Sequence, residues 1–195
     1  LVGSEMCIRD RDRIYSQMGY VFAKHIFGIK GSYAVDPQKG AVVMTLTTQG
    51  DVPIHYTLDG SEPTAASPRY TGPVEIGKSA RFRATALREG GENASYSREF
   101  AFSKSTGRPA VLNTKPNDSY TFEGASLLVD GYHSRPVFTS GAWLGYLDEP
   151  LDVTIDMGGE QSYRSVELET LAEKGDWIFP PSSVTVWVSD NGTDF

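Results

Sequence analysis

Cysteine is nearly missing: Cys7 is the sole example in 195 residues, which excludes an internal disulfide and any cysteine-rich metal framework. Histidine is scarce as well. His25, His55 and His133 are scattered along the chain, so a multi-histidine metal centre has no local motif to start from. No apolar run approaches the roughly 20 residues that span a bilayer as a helix. Positive charge is in the minority, with 18 Lys+Arg against 25 Asp+Glu and a formal net charge of -7. The basic footprint of a nucleic-acid binder is therefore absent. G-x-S-x-G, P-loop and zinc-ligand spacings are lacking too, and no cofactor or metal is expected. What is present is 20 Gly and 11 Pro in a chain with 39% apolar residues. That balance suits a loop-rich globular chain, long enough for one large or two small domains.

The first 13 residues, "LVGSEMCIRDRDR", show neither strand nor helix pattern, and lack the basic-then-apolar order of a signal peptide. They look like a translated sequencing adapter and are set aside as a non-native segment. The polypeptide is thus expected to be a portion of a longer protein. Over 14–31 the spacing predicts one amphipathic helix. Ile14, Met18, Val21, Phe22, His25, Ile26 and Ile29 form its apolar face, and Gly28 and Gly31 act as stop signals. A helix of that length needs a surface to pack on.

From Tyr33 the period changes to two. "AVVMTLTT" alternates Val42, Met44 and Leu46 with Val43, Thr45 and Thr47. "PIHYTL", "ARFRATAL" and "YSREFAF" repeat the pattern through Ile54/Tyr56/Leu58, Phe82/Ala84/Ala86 and Tyr96/Arg98/Phe100/Phe102. Short alternating strands between Gly- and Pro-rich turns predict an antiparallel sandwich with one wet and one buried face per strand.

One stretch, "IHYTLDGSEPTAASPRYTG" (54–72), places Asp59 and Glu62 close together and invites a catalytic reading. Local geometry favours a turn. Asp59-Gly60 follows a strand and supplies the positive φ of a tight reversal. Asp59 is expected to accept hydrogen bonds from the turn's own amides, and Pro63 removes a backbone donor so that the next segment does not pair at once. Asp59, Gly60 and Pro63 are read as structural.

The same residues carry a likeness. "YTLDGSEPTAASPRYTGP" resembles the signature of the Ig-like domain that follows the catalytic barrel in chitobiases and β-N-acetylhexosaminidases. Tyr56, Thr57, Asp59, Gly60, Pro63, Thr64, Ser67, Tyr70 and Pro73 fall where that pattern has them. The resemblance implies an Ig-like domain over 32–103, with the helix at 14–31 as the end of a missing barrel.

Residues 104–110 have a linker-like composition. Over 111–195, "LLVDG", "GAWLGY", "VTIDMG" and "VSDNGTDF" resemble the discoidin (coagulation-factor C-type) jelly roll, an eight-stranded double sheet. Strands are expected in "AVLNT" (110–114) and at Ala142–Tyr146, Leu151–Asp156, Arg164–Leu171 and Val184–Ser189. Five strands make this jelly roll incomplete. The expected fold class is all-β: an Ig-like β-sandwich followed by an incomplete discoidin-type jelly roll, preceded by one amphipathic helix. Helix, Ig-like module and discoidin module in this order resemble the C-terminal portion of family-20 β-N-acetylhexosaminidases. That implies an accessory region of a periplasmic or secreted enzyme acting on terminal N-acetylhexosamine residues of glycans.

The family's chemistry belongs to an Asp-Glu pair on a (β/α)₈ barrel, where Glu protonates the glycosidic oxygen and the substrate's acetamido group is the nucleophile. Such a barrel needs about 250 residues, and no residue here is expected to be catalytic. The pair Asp148-Glu149, before Pro150, reads as a polar hairpin turn without the surroundings that raise an acid's pKa. Carbohydrate contact is the open possibility, since sugars stack on aromatic faces while a few polar groups orient them. Tyr132, His133, Arg135 and Trp143 are the candidates, and the competing reading packs Trp143 in the core. A calcium near Asp130-Gly131, found in some discoidin domains, has no decisive sequence signal. The alternative to the accessory role is a stand-alone carbohydrate-binding or adhesion protein; a third reading, that the segment is itself an enzyme, would have to draw on Asp148 or Glu149.

Overall fold

A computed structural model describes residues 17–18, 28–49, 52–88 and 93–195. Among the described residues eight strands appear in chain order: β1 (Lys30–Asp36), β2 (Ala41–Thr47), β3 (Ile54–Thr57), β4 (Val74–Ile76), β5 (Ala80–Ala86), β6 (Ala94–Phe100), β7 (Ala110–Leu112) and β8 (Val153–Ile155). They form three sheets with strand orders β1-β2-β4, β3-β5-β6 and β7-β8. The fold is all-β. Helical content among the described residues is limited to short 3₁₀ turns at Asp118–Tyr120, Gly124–Leu128, Phe138–Ser140 and Lys174–Asp176, apart from Gln17. The helix expected over 14–31 falls mostly outside the described residues. Where it meets them, Gln17 is helical, and the C-terminal end is corrected: Lys30 and Gly31 are strand residues of β1. None of the described helices is long and apolar enough to cross a membrane.

The chain divides into two compact units. The first runs to Tyr33 and adds Met44–Glu75 and Ala80–Arg98; the second comprises Ala34–Val43, Ile76–Ser79 and Glu99–Phe195. In the first unit the period-2 pattern acts as the physics demands. Met44, Leu46, Ile54, Phe82, Ala84 and Ala86 are all buried, with Phe82 fully so. Strands β3 and β5 pair antiparallel in the register Ile54↔Ala86 and Tyr56↔Ala84, which lays the apolar side chains of both on one face. Tyr56 stacks on Phe82 at 5.8 Å between centroids, and Tyr96 meets Phe82 edge-on at 6.4 Å. Such ring pairs add about 0.5–1.5 kcal/mol beyond the area they bury.

The other edge of β3 is closed by the chain's own loop. Tyr56 N–H donates to the Pro68 carbonyl at 3.0 Å, and Tyr70 N–H donates to the Ile54 carbonyl at 2.7 Å. The Tyr70 hydroxyl then accepts from the Leu46 amide of β2 at 3.0 Å. With three residues in β4 against seven in β2, part of the β2 backbone must find partners outside the ladder. Tyr70 is one.

The second unit buries Ala41, Val42, Ile76, Phe100 and Val129. Residues 104–110, expected as a linker, contain a tight turn (104–107) and, at Ala110, the start of β7. Gly107 has φ +76 and donates to the Val129 carbonyl at 2.8 Å; a β-carbon on it would lie 2.6 Å from the Gly40 carbonyl carbon. Only glycine fits there. Strands β7 and β8 pair antiparallel, Val111 opposite Thr154.

Two of the five expected strands of 111–195 form, inside "AVLNT" and inside Leu151–Asp156. Ala142–Tyr146, Arg164–Leu171 and Val184–Ser189 are not strands. The reason is pairing: a β-prone run becomes a strand only beside a ladder partner. Alternating burial is lost with the ladder. Trp187 is exposed together with both of its neighbours, Val186 and Val188.

Candidate functional site

The acid-bearing turn is built around Asp59. Its Oδ1 accepts from the Ser61 amide at 2.9 Å and from the Ser61 hydroxyl at 2.6 Å. These bonds hold the Asp59 carboxyl below its usual pKa of 3.8, the side-chain bond contributing most. Gly60 takes φ +84, as an Asp-Gly reversal requires. Thr57 Oγ1 donates to the Ser61 carbonyl at 2.6 Å, and Arg81 N–H to the Leu58 carbonyl at 3.0 Å. Pro63 is buried.

Glu62 reaches back over β5. It pairs with Arg83 at 2.6 Å and accepts from Thr85 Oγ1 at 3.3 Å, and Arg83 also donates to the Gly60 carbonyl at 3.3 Å. Thr85 is accordingly buried, although alternation alone places it on the wet face. Farther along, Thr64 N–H donates to Ser67 Oγ at 3.0 Å and Ser67 N–H to the Thr64 carbonyl at 3.0 Å. Both carboxylates are thus spent on local structure. A general acid needs a proton held near neutral pH, and Asp59 is shifted the other way.

The four carbohydrate candidates lie in the second unit, on the loop from Asp130 to Trp143. The loop starts from a fixed point. Asp130 is buried and its Oδ1 accepts from Tyr132 N–H at 2.8 Å. Gly131 has φ +67, accepts from Ala101 N–H at 2.7 Å, and sits where a β-carbon would lie 2.9 Å from Thr106 Cγ2. Tyr132 is half-buried, its ring tilted against Phe100 at 6.3 Å. His133 points to solvent, with Nδ1 3.3 Å from Glu169 Oε2. Trp143 donates its indole N–H to the Arg135 carbonyl at 3.2 Å.

Arg135 and Trp143 are thereby brought together, Tyr132 leans inward, and His133 stands apart with a carboxylate. Trp143 is half-buried on a non-strand segment, which corrects its placement in a sandwich core. Glu169 was not singled out by sequence, because nothing local marks a partner 36 positions away. Tyr146 donates to the Thr114 carbonyl at 3.4 Å; burial, with Asp152 nearby, pushes its phenol above 10.0.

Asp148 takes a left-handed φ of +62 and, like Glu149, is exposed. Asp156 caps its own turn by accepting from Gly158 N–H at 2.8 Å. Among the described residues no three His, Cys, Asp or Glu side chains converge as metal ligands.

No curated protein matches the chain. A family does match part of it: residues 31–98, which hold most of β1, all of β2 to β5, most of β6 and the whole Asp59–Tyr70 turn, are similar to the chitobiase/beta-hexosaminidase C-terminal domain.

Proposed function

We propose that the chain is a non-catalytic accessory region of a β-N-acetylhexosaminidase, a periplasmic or secreted enzyme removing terminal N-acetylhexosamine residues from glycans. The observation that carries this reading is the match over 31–98. The turn chemistry supports it, because Asp59 and Glu62 are held by Ser61, Arg83 and Thr85 and have no free role in bond cleavage. In this reading the Ig-like module braces a catalytic barrel of the same protein. The region 111–195 is a discoidin-type module that holds glycan through Tyr132, His133, Arg135 and Trp143. An indole fixed through its N–H keeps its ring in one orientation, as stacking on a sugar requires.

Three measurements test the proposal. The chain should not turn over a chromogenic N-acetylglucosaminide; turnover abolished by Asp148→Ala or Glu149→Ala would overturn it. N-acetylglucosamine oligomers should quench tryptophan fluorescence, and Trp143→Ala should remove that response. A continuous upstream reading frame encoding a (β/α)₈ barrel supports the accessory role, whereas a signal peptide directly before Ile14 marks a stand-alone binding protein.

A further inference from the structure

The Ig-like module carries a cleft on the strand and loop around Tyr56 and Arg69. It is a shallow, solvent-open depression of about 370 Å³ in the first unit, lined by Tyr56, Leu58, Arg69, Thr71, Gly72 and Glu75, among others. That volume lies within the roughly 300–1,000 Å³ of small-molecule sites. Tyr56 is held in place by its stacking on buried Phe82, so its ring is a fixed wall. Leu58, 41% exposed, adds an apolar side chain to a lining that is otherwise largely polar.

The cation sets the chemistry. The Arg69 backbone is held by its bridge to His55, yet its guanidinium makes no ion pair or hydrogen bond among the described residues. Arg83 and Arg98 are both engaged, with Glu62 and with the Tyr33 ring. An open guanidinium beside an apolar wall matches a planar carboxylate on a ring with an apolar face. Thr71 adds a hydroxyl that suits sugar hydroxyls. An extended peptide would want the backbone of the neighbouring strand, and on β3 those groups are already taken by Pro68 and Tyr70.

We propose that this cleft binds an acidic sugar, a hexuronate or other carboxylate-bearing pyranose. Its carboxylate meets Arg69 and its ring lies against Tyr56 and Leu58. The inference stands on the geometry of residues 54–75 and is independent of the loop from Tyr132 to Trp143.

The test is a titration of the ¹⁵N-labelled full chain with methyl β-D-glucuronide and, separately, methyl β-D-glucoside. The glucuronide should move the Arg69 Nε–H signal and the amides of Thr71, Gly72 and Val74. The glucoside should bind about tenfold more weakly, the scale of one charge-assisted contact. Arg69→Gln should bring the glucuronide down to the glucoside level. Gly72→Leu should abolish both, and it has room to fold because a β-carbon there meets no atom within 4 Å. Equal binding of the two glycosides would overturn the proposal, as would a preference that survives Arg69→Gln. Shifts confined to residues 132–143 would overturn it too while leaving the loop reading intact. Stronger binding of a short acidic peptide at the same amides would reassign the cleft to a protein partner.

Discussion

Replacing Tyr70 by phenylalanine removes one oxygen and keeps the ring. The hydroxyl accepts from the Leu46 amide at 3.0 Å, and Leu46 is 4% exposed. Water therefore has little access to the amide when the oxygen goes. A buried donor left unpaired costs about 1–3 kcal/mol. Taking about 2 kcal/mol as the middle value, exchange of the Leu46 amide through opening of the native state should quicken on the order of thirtyfold. The melting temperature should fall by roughly 4–8 °C for a chain of this length. Hydrogen exchange followed by NMR on the full chain reads the first effect residue by residue. Tyr56→Phe is the control, because its hydroxyl has no described hydrogen-bond partner while its ring stacks in the same unit. It should change stability by less than about 0.5 kcal/mol. Equal effects of the two substitutions, or unchanged protection at Leu46, would refute the assignment of Tyr70 as the backbone's substitute partner.

Gly107→Ala should destabilise by about 3 kcal/mol, combining a left-handed φ with a β-carbon 2.6 Å from backbone; a melting temperature within error of the parent would contradict this. The Asp59 carboxyl titrates below 3.8 in the folded chain, so its contribution to stability is fully present above the unfolded value and fades as pH falls through the folded one. Carbon-detected NMR should show that depressed titration, and Ser61→Ala should raise it. Glu62→Gln breaks a pair whose side chains are 58% and 40% exposed. The cost should stay below about 1 kcal/mol, measured as a small drop in urea midpoint.

The sheets of the Ig-like module were legible because each strand repeats its own instruction. Val42, Met44 and Leu46 alternate with polar or half-exposed neighbours, and Phe82, Ala84 and Ala86 do the same. The Asp59-Gly60 reversal was legible because its hydrogen bonds are local, closing within two residues. Thr85 was not, since its covering carboxylate comes from 23 positions away. β4 was missed because three residues, Val74–Ile76, show no period. Arg164–Leu171 and Val184–Ser189 erred in the opposite direction. Their β-branched and aromatic residues state a propensity, and a propensity says nothing about whether a partner strand lies alongside. The candidate sites divide in the same way. Residues adjacent in sequence, Tyr132 to Arg135, could be grouped by reading. The pairing of His133 with Glu169 and the meeting of Tyr56 with Arg69 and Glu75 exist only once the chain is folded.

Closure of β3 from within has a consequence for how such a unit travels between genes. An edge sealed by its own polypeptide offers no template to whatever is fused next to it, so a new neighbour neither borrows a strand from β3 nor lends one on that side.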